Sequence, residues 1–169
     1  MEPQKNGVSP AGEVRGGIGI EAERARRYEA HLSVLLINLD GLGRVNDRLG
    51  REAGDRLLTG VADLIRANTR LIDVFGRWDM EDFIILSVDR NADGSRTMAE
   101  KLRRLIDQYS LDFGGQEVRV TACIGVARGV PASEGEIDGL LERARAAVLT
   151  AKSQGRNRVV YADPCTTDA

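Results

Sequence analysis

The residues best suited to chemistry lie in one short stretch, Arg70-Leu71-Ile72-Asp73, then Val74 to Trp78, then Asp79-Met80-Glu81-Asp82-Phe83. An arginine three residues before an aspartate sets a planar fork of donors beside an acceptor. The fork suits a phosphate or the O6/N7 edge of guanine, and the carboxylate accepts from the amine and imine of the same base. The bland alternative is a surface Arg-Asp pair at a helix-to-strand junction, which contributes little to stability. Two further groups stand out. Asn46 and Asp55 by themselves read as a turn cap and a helix-start residue. Lys152 and Arg156 by themselves suit the negative end of a helix.

The hydropathy pattern supplies the elements that must hold these residues. Ile20 to Ala30 predicts a charged helix, and Leu32 to Leu39 is a continuous apolar run of strand length, which implies a strand covered on both faces. Asp40 to Gly50 is a glycine-broken turn with a short helix. Glu52 to Thr69 carries a helical stripe at Ala53, Leu57, Leu58, Val61, Leu64 and Ile65. Val74 to Trp78 and Phe83 to Val88 flank the acidic turn as a hairpin. Thr97 to Tyr109 predicts another helix, Val118 to Ala127 a central strand, and Ile137 to Ser153 a long helix closed by Gly155. Arg158 to Tyr161 completes the set as an edge strand. The expected architecture is an α/β sandwich with a central, mixed, mostly antiparallel five-stranded sheet flanked by helices.

Composition narrows the function classes. With 169 residues and 42% hydrophobic content, the chain is long enough for one domain with a real core. The expected division is a mobile arm over residues 1–17, rich in Gly and Pro, a folded domain over 18–162, and a mobile tail over 163–169. A net charge of −2 with acids and bases mixed along the chain shows no basic face for nucleic acid and no polybasic membrane patch. No apolar run approaches the roughly 20 residues of a membrane span, and no signal segment is seen. Cys123 falls in a strand pattern and Cys165 in the polar tail, so no disulfide is expected and a reducing cytoplasm is the simplest location. His31 is the single histidine, which argues against zinc or a His-based triad.

Four stretches in order resemble the GGDEF domain, the family of diguanylate cyclases that join two GTP into cyclic di-GMP. They are Leu35-Leu36-Ile37-Asn38-Leu39-Asp40 with Asn46-Asp47 and Gly54-Asp55, the Arg70 to Phe83 segment, Val120 to Ala127, and Ala151-Lys152-Ser153-Gln154-Gly155-Arg156-Asn157. The resemblance covers about residues 20–161 and implies the palm-like sheet of nucleotide cyclases. It also implies a metal pair between the position of Asn38 and that of Glu81, guanine reading by Asn46 and Asp55, and triphosphate contacts from Lys152 and Arg156. The Arg70-x-x-Asp73 pair corresponds to the inhibitory site that binds cyclic di-GMP, completed by a second arginine whose place is taken by Lys101, with Arg103 and Arg104 nearby.

The departures from that pattern all oppose catalysis. Asn38 puts a neutral amide where the family has a carboxylate, which weakens binding of Mg²⁺ and leaves Glu81 and Asp40 as a weak remnant. Gly43 stands where a phosphate-contacting lysine is expected. Asp79 and Met80 replace the two turn glycines, adding charge beside an anionic ligand and about 1–2 kcal/mol of strain if Met80 is left-handed. The expectation is therefore a catalytically inactive GGDEF-domain protein: a cyclic di-GMP receptor acting through Arg70, Asp73, Lys101 and Arg103 that signals to an unidentified protein partner or as a homodimer. Two alternatives stand beside it. One is an interaction or dimerisation module indifferent to nucleotides, to which Trp78 and Met80 would offer an apolar contact; the other is a GTP-binding domain with residual cyclase activity. No cofactor is required on the first reading, and Mg²⁺ enters only with residual GTP binding.

Overall fold

The computed structural model describes residues 11–79 and 82–162. The chain runs α1 (Ala11–Arg27), β1 (His31–Asp40), α2 (Leu42–Leu49), α3 (Arg51–Ala67), β2 (Val74–Arg77), β3 (Asp82–Asp89), α4 (Ala92–Gln108), β4 (Leu111–Phe113), β5 (Gln116–Val118), β6 (Thr121–Gly129), α5 (Glu134–Ser153) and β7 (Arg158–Tyr161). The main sheet has five strands in the order β2-β3-β1-β6-β7. Every pairing is antiparallel except β6 with β7.

The apolar run of β1 is explained by its central place. Its side chains alternate between two cores: Leu35, Ile37 and Leu39 join the residues of α2, α3 and α4, while Leu32, Val34 and Leu36 join those of α1 and α5. Each such side chain, fully buried, contributes on the order of 1.5–3 kcal/mol. Helix α5 presses closely on β6. A methyl group at Gly125 would overlap the backbone of Ala144 and Val148, so only glycine admits this approach.

Three expectations are corrected. The first helix begins at Ala11, not Ile20, so residues 11–17 of the expected arm are helical. Its buried stripe is Val14, Ile18, Ala22 and Ala25, a helical spacing that the exposed glycines conceal. The segment Val118 to Ala127 is not one strand: β5 ends at Val118 and β6 starts at Thr121. Strand β5 instead pairs with β4 in a separate two-stranded sheet, turned by Gly114 and Gly115 with φ of 59° and 85°, the positive pair of a type I′ hairpin. Trp78 does not project freely from the hairpin, since it packs against the core on the α1 side with the Arg15 guanidinium 4.0 Å from its ring centroid. Residues 1–10, Met80, Glu81 and 163–169, including Cys165, lie outside the described residues.

Candidate functional site

The turn between α3 and β2 carries Arg70 and Asp73, closed by the Asp73 N–H donating to the Arg70 carbonyl at 3.0 Å. Asp73 Oδ2 accepts from the Arg70 backbone N–H at 3.0 Å and from Nε at 3.3 Å, while Oδ1 accepts from Nη2 at 3.0 Å. This is a bidentate fork reinforced by a backbone donor. The Asp73 side chain is 1% exposed and that of Arg70 is 46% exposed. Asp73 is therefore spent on aiming the guanidinium. Both of its carboxylate oxygens accept from Arg70.

Two further residues hold Arg70 from the end of β3. Nη2 also donates to Asp89 Oδ1 at 2.9 Å and to Ser87 Oγ, and Ser87 in turn donates to Asp89 Oδ2 at 3.0 Å. The hydrogen bond to Asp73 raises the Arg70 pKa above its ordinary value, partly opposed by burial and aided by the charges of Asp73 and Asp89. Neither Ser87 nor Asp89 was anticipated. They lie two residues apart on one face of β3.

The two cations of α4 expected at this site are placed differently. Lys101 is exposed, seven residues beyond Gly94, the residue whose Cβ position would touch the Asp89 carboxylate at 3.5 Å. Arg103 is turned away: its Nη1 donates to Asn157 Oδ1 at 3.0 Å and its Nε to Glu100 at 3.3 Å. The structure thus takes Arg103 out of the Arg70 group and sets it near β7.

The opposite end of β1 carries the expected catalytic positions. Asn38 is 8% exposed and stands opposite Asp82 in the sheet, donating from Nδ2 to Asp82 Oδ1 at 2.6 Å. Asp40 is committed as well: it accepts from Thr121 Oγ1 at 2.7 Å, from Cys123 Sγ at 3.1 Å and from the Asn157 backbone N–H at 3.1 Å, with Arg156 Nε 3.9 Å away. Burial, then the bond to Asp40, pushes the Cys123 thiol up to about 12, so it remains a protonated donor. Among the described residues the Asn38 amide turns its N–H to Asp82, both Asp40 oxygens accept hydrogen bonds, and no group of three metal-ligating side chains occurs; Glu81 lies outside them.

Asn46 and Asp55 are brought to one junction. Asn46 Oδ1 is buried without a hydrogen bond, packed so closely on Gly54 that a methyl group there would overlap it, and Asp55 follows on the exposed side of α3. Neither residue caps a helix: Gly50 holds the position before α3, and the Asn46 contribution to that turn is its backbone carbonyl. Arg77, which the sequence reading missed, lies within the field of Asp55, Asp82 and Asp79; burial lowers its pKa against the pull of those three charges. Its ring neighbour is Phe83, with the guanidinium 5.2 Å from the centroid. Lys152 is half-buried in the last turn of α5, and Arg156 follows in a left-handed turn with φ of 65°. The two expected triphosphate contacts therefore flank the Asp40 network.

A five-stranded sheet in the order β2-β3-β1-β6-β7 with helices on both faces defines an α/β sandwich of the palm type. The sequence pattern of the diguanylate cyclase GGDEF domain matches residues 15–158, and the chain belongs to that family. It is 34% identical over 76% of its length to diguanylate cyclase A of Treponema denticola, and 38% identical over 80% of its length to the bifunctional diguanylate cyclase/cyclic di-GMP phosphodiesterase MucR of Pseudomonas aeruginosa. The matched part spans only 34% and 19% of those two proteins. Among solved structures, the GGDEF domain of DgcB from Caulobacter crescentus, in complex with c-di-GMP, has the same fold: TM-score 0.87 at 21% identity, covering 97% of this chain and 98% of that one. Among the described residues no helix is long and apolar enough to cross a membrane.

Proposed function

We propose that this GGDEF domain is a catalytically inactive receptor for cyclic di-GMP, which it binds through Arg70, and that it passes the signal to a protein partner or a second copy of itself. The observation that carries the reading is the Arg70 guanidinium, aimed by a buried carboxylate and still half exposed. Preorganising a fork in this way removes much of the ordering cost of gripping a phosphate or a guanine edge. Lys101 contributes charge without a fork, and Arg103 contributes nothing at this site. The DgcB domain, whose structure holds c-di-GMP, lends the ligand its plausibility. Against catalysis we set the Asn38 amide bonded to Asp82 in place of a free carboxylate, and an Asp40 whose oxygens already accept from Thr121 and Asn157, where GTP chemistry calls on carboxylates to hold Mg²⁺.

Calorimetry tests the receptor directly. Cyclic di-GMP is expected to bind the wild type and to lose at least about tenfold in affinity with Arg70→Ala, the loss of a charge-assisted bidentate contact. No heat with the wild type, or equal affinity in the variant, would overturn the reading. Incubation with GTP and Mg²⁺ tests the inactive half, since accumulation of cyclic di-GMP would restore the residual-cyclase alternative. GTP that binds at Asn46 and Asp55 without turnover would support the loss of catalysis while keeping that junction as a base-reading site.

A further inference from the structure

Helix α1 is built unevenly along its length. Gly16, Gly17 and Gly19 lie in its interior, and Gly12 lies in its first turn. A methyl group at any of the four would meet nothing within 4 Å, and none of them has a positive φ. Neither packing nor backbone geometry therefore calls for glycine at these positions. Each glycine in a helix interior favours the open chain about fivefold over alanine, so the three interior ones together weigh against this half of the helix by about a hundredfold.

The two halves are also held differently. Val14 and Ile18 are buried in the core that includes Val74, Trp78, Ile84 and Leu86 of the β2 and β3 segments. Apart from that apolar packing, the side-chain contact of residues 11–19, among the described residues, is the Arg15 guanidinium 4.0 Å from the Trp78 ring centroid. The second half has polar pins at its end. Arg26 Nη1 donates to the Pro131 carbonyl, Arg90 Nη2 to the Tyr28 carbonyl at 3.4 Å, and the Ala30 N–H to the Ala25 carbonyl at 2.8 Å. Ala22 and Ala25 lie fully buried beneath it. The glycine-bearing half thus sits over β2, the edge strand of the main sheet, and over Trp78, which directly precedes Asp79 of the acidic turn.

We propose that residues 11–19 form a strap that opens by local unfolding while residues 20–27 stay docked, uncovering Trp78 and the apolar face of β2 and β3 beside it. The stack of Arg15 on Trp78 is the catch that closes it. Opening leaves the polar pins of the second half and the core on the other face of the sheet intact, so the domain remains folded. The groups that hold Arg70 are Asp73, Ser87 and Asp89, none of them on the strap. The proposal therefore holds or fails independently of cyclic di-GMP binding.

The test is native-state hydrogen exchange, read by NMR on the isotopically labelled full chain in increasing urea below the unfolding transition. Wild type is compared with the Gly16→Ala/Gly17→Ala double variant and with Arg15→Gln. Amides 15–19 report the strap, because the first four N–H groups of a helix lack an intrahelical partner, and amides 22–27 report the pinned half. In the wild type, protection at 15–19 is expected to be about a hundredfold below that at 22–27 and nearly independent of urea, since a local opening exposes little surface. The double glycine variant should slow exchange at 15–19 about twentyfold. Arg15→Gln should speed it about two- to fivefold, the scale of an exposed cation–π contact. Equal protection and equal urea dependence in both halves would overturn the proposal, because the helix would then open as one unit. Exchange at 15–19 left at the wild-type rate in the double glycine variant or in Arg15→Gln would overturn it as well.

Discussion

At the scale of single residues, Asp89 decides how readily Arg70 serves an outside anion. Its carboxylate takes Nη2 at 2.9 Å and is itself steadied by Ser87, so an incoming phosphate competes with an internal acid for the same nitrogen. Replacing that acid with its isosteric amide keeps the shape and removes the competing charge. Asp89→Asn should therefore tighten cyclic di-GMP binding by about three- to tenfold, the modest scale expected of a half-exposed pair; calorimetry showing equal or weaker binding would sink the idea. Asn38 carries the converse lesson. N38D sets a carboxylate against Asp82 across the strand pair, where like charges face each other in a nearly buried place. It should lower unfolding free energy by about 1–3 kcal/mol in urea titrations and should not yield cyclic di-GMP from GTP, because Gly43, Asp79 and Met80 remain. Arg70 and Asp73 drew notice by residue type and spacing, and Asn46 and Asp55 through the resemblance to the family. Asp89 and Ser87 were not, for their role arises from β3 passing beside the turn, a contact across 17 to 19 residues that no local pattern encodes.

At the scale of elements, α5 and β6 illustrate what spacing conveys and what it hides. The helix and the strand were both readable from their apolar periodicity, whereas the close approach at Gly125 depends on where two distant segments cross. A methyl group there meets backbone atoms of Ala144 and Val148, which move only with the whole helix. Gly125→Ala should consequently cost at least about 2 kcal/mol despite adding apolar volume to the core, as overpacking does. Urea unfolding monitored by circular dichroism would show it, and a variant as stable as wild type would mean that α5 slides without penalty. The same distinction explains the misread elements. Helix α1 buries small residues at Ala22 and Ala25, so its stripe is weak in hydrophobicity although strong in packing. The β4-β5 hairpin has three residues per strand, too short for alternation to register, and its two-glycine turn was the visible clue.

At the scale of the molecule, the sheet keeps the two chemistries apart. Asn38 pairs with Asp82 near one end of β1, and His31 pairs with Asp89 at the other. With ~3.3 Å of rise per residue, the Asn38 end and the Arg70 end are about 23 Å apart. Side chains that far apart with no shared partner act independently, and the interior between them is a rigid ladder covered on both faces. This separation lets Asn38 and Asp79 at one end vary without disturbing the anchored arginine at the other. It also makes a definite claim about N38D and Arg70→Ala combined. Their costs in unfolding free energy should add to within about 0.5 kcal/mol, and N38D alone should leave cyclic di-GMP affinity at the wild-type value. A coupling energy above about 1 kcal/mol in the double-mutant cycle, or a receptor weakened by N38D, would mean that the sheet transmits strain between its ends. In that event the charge state of the Asn38 end would regulate binding at Arg70.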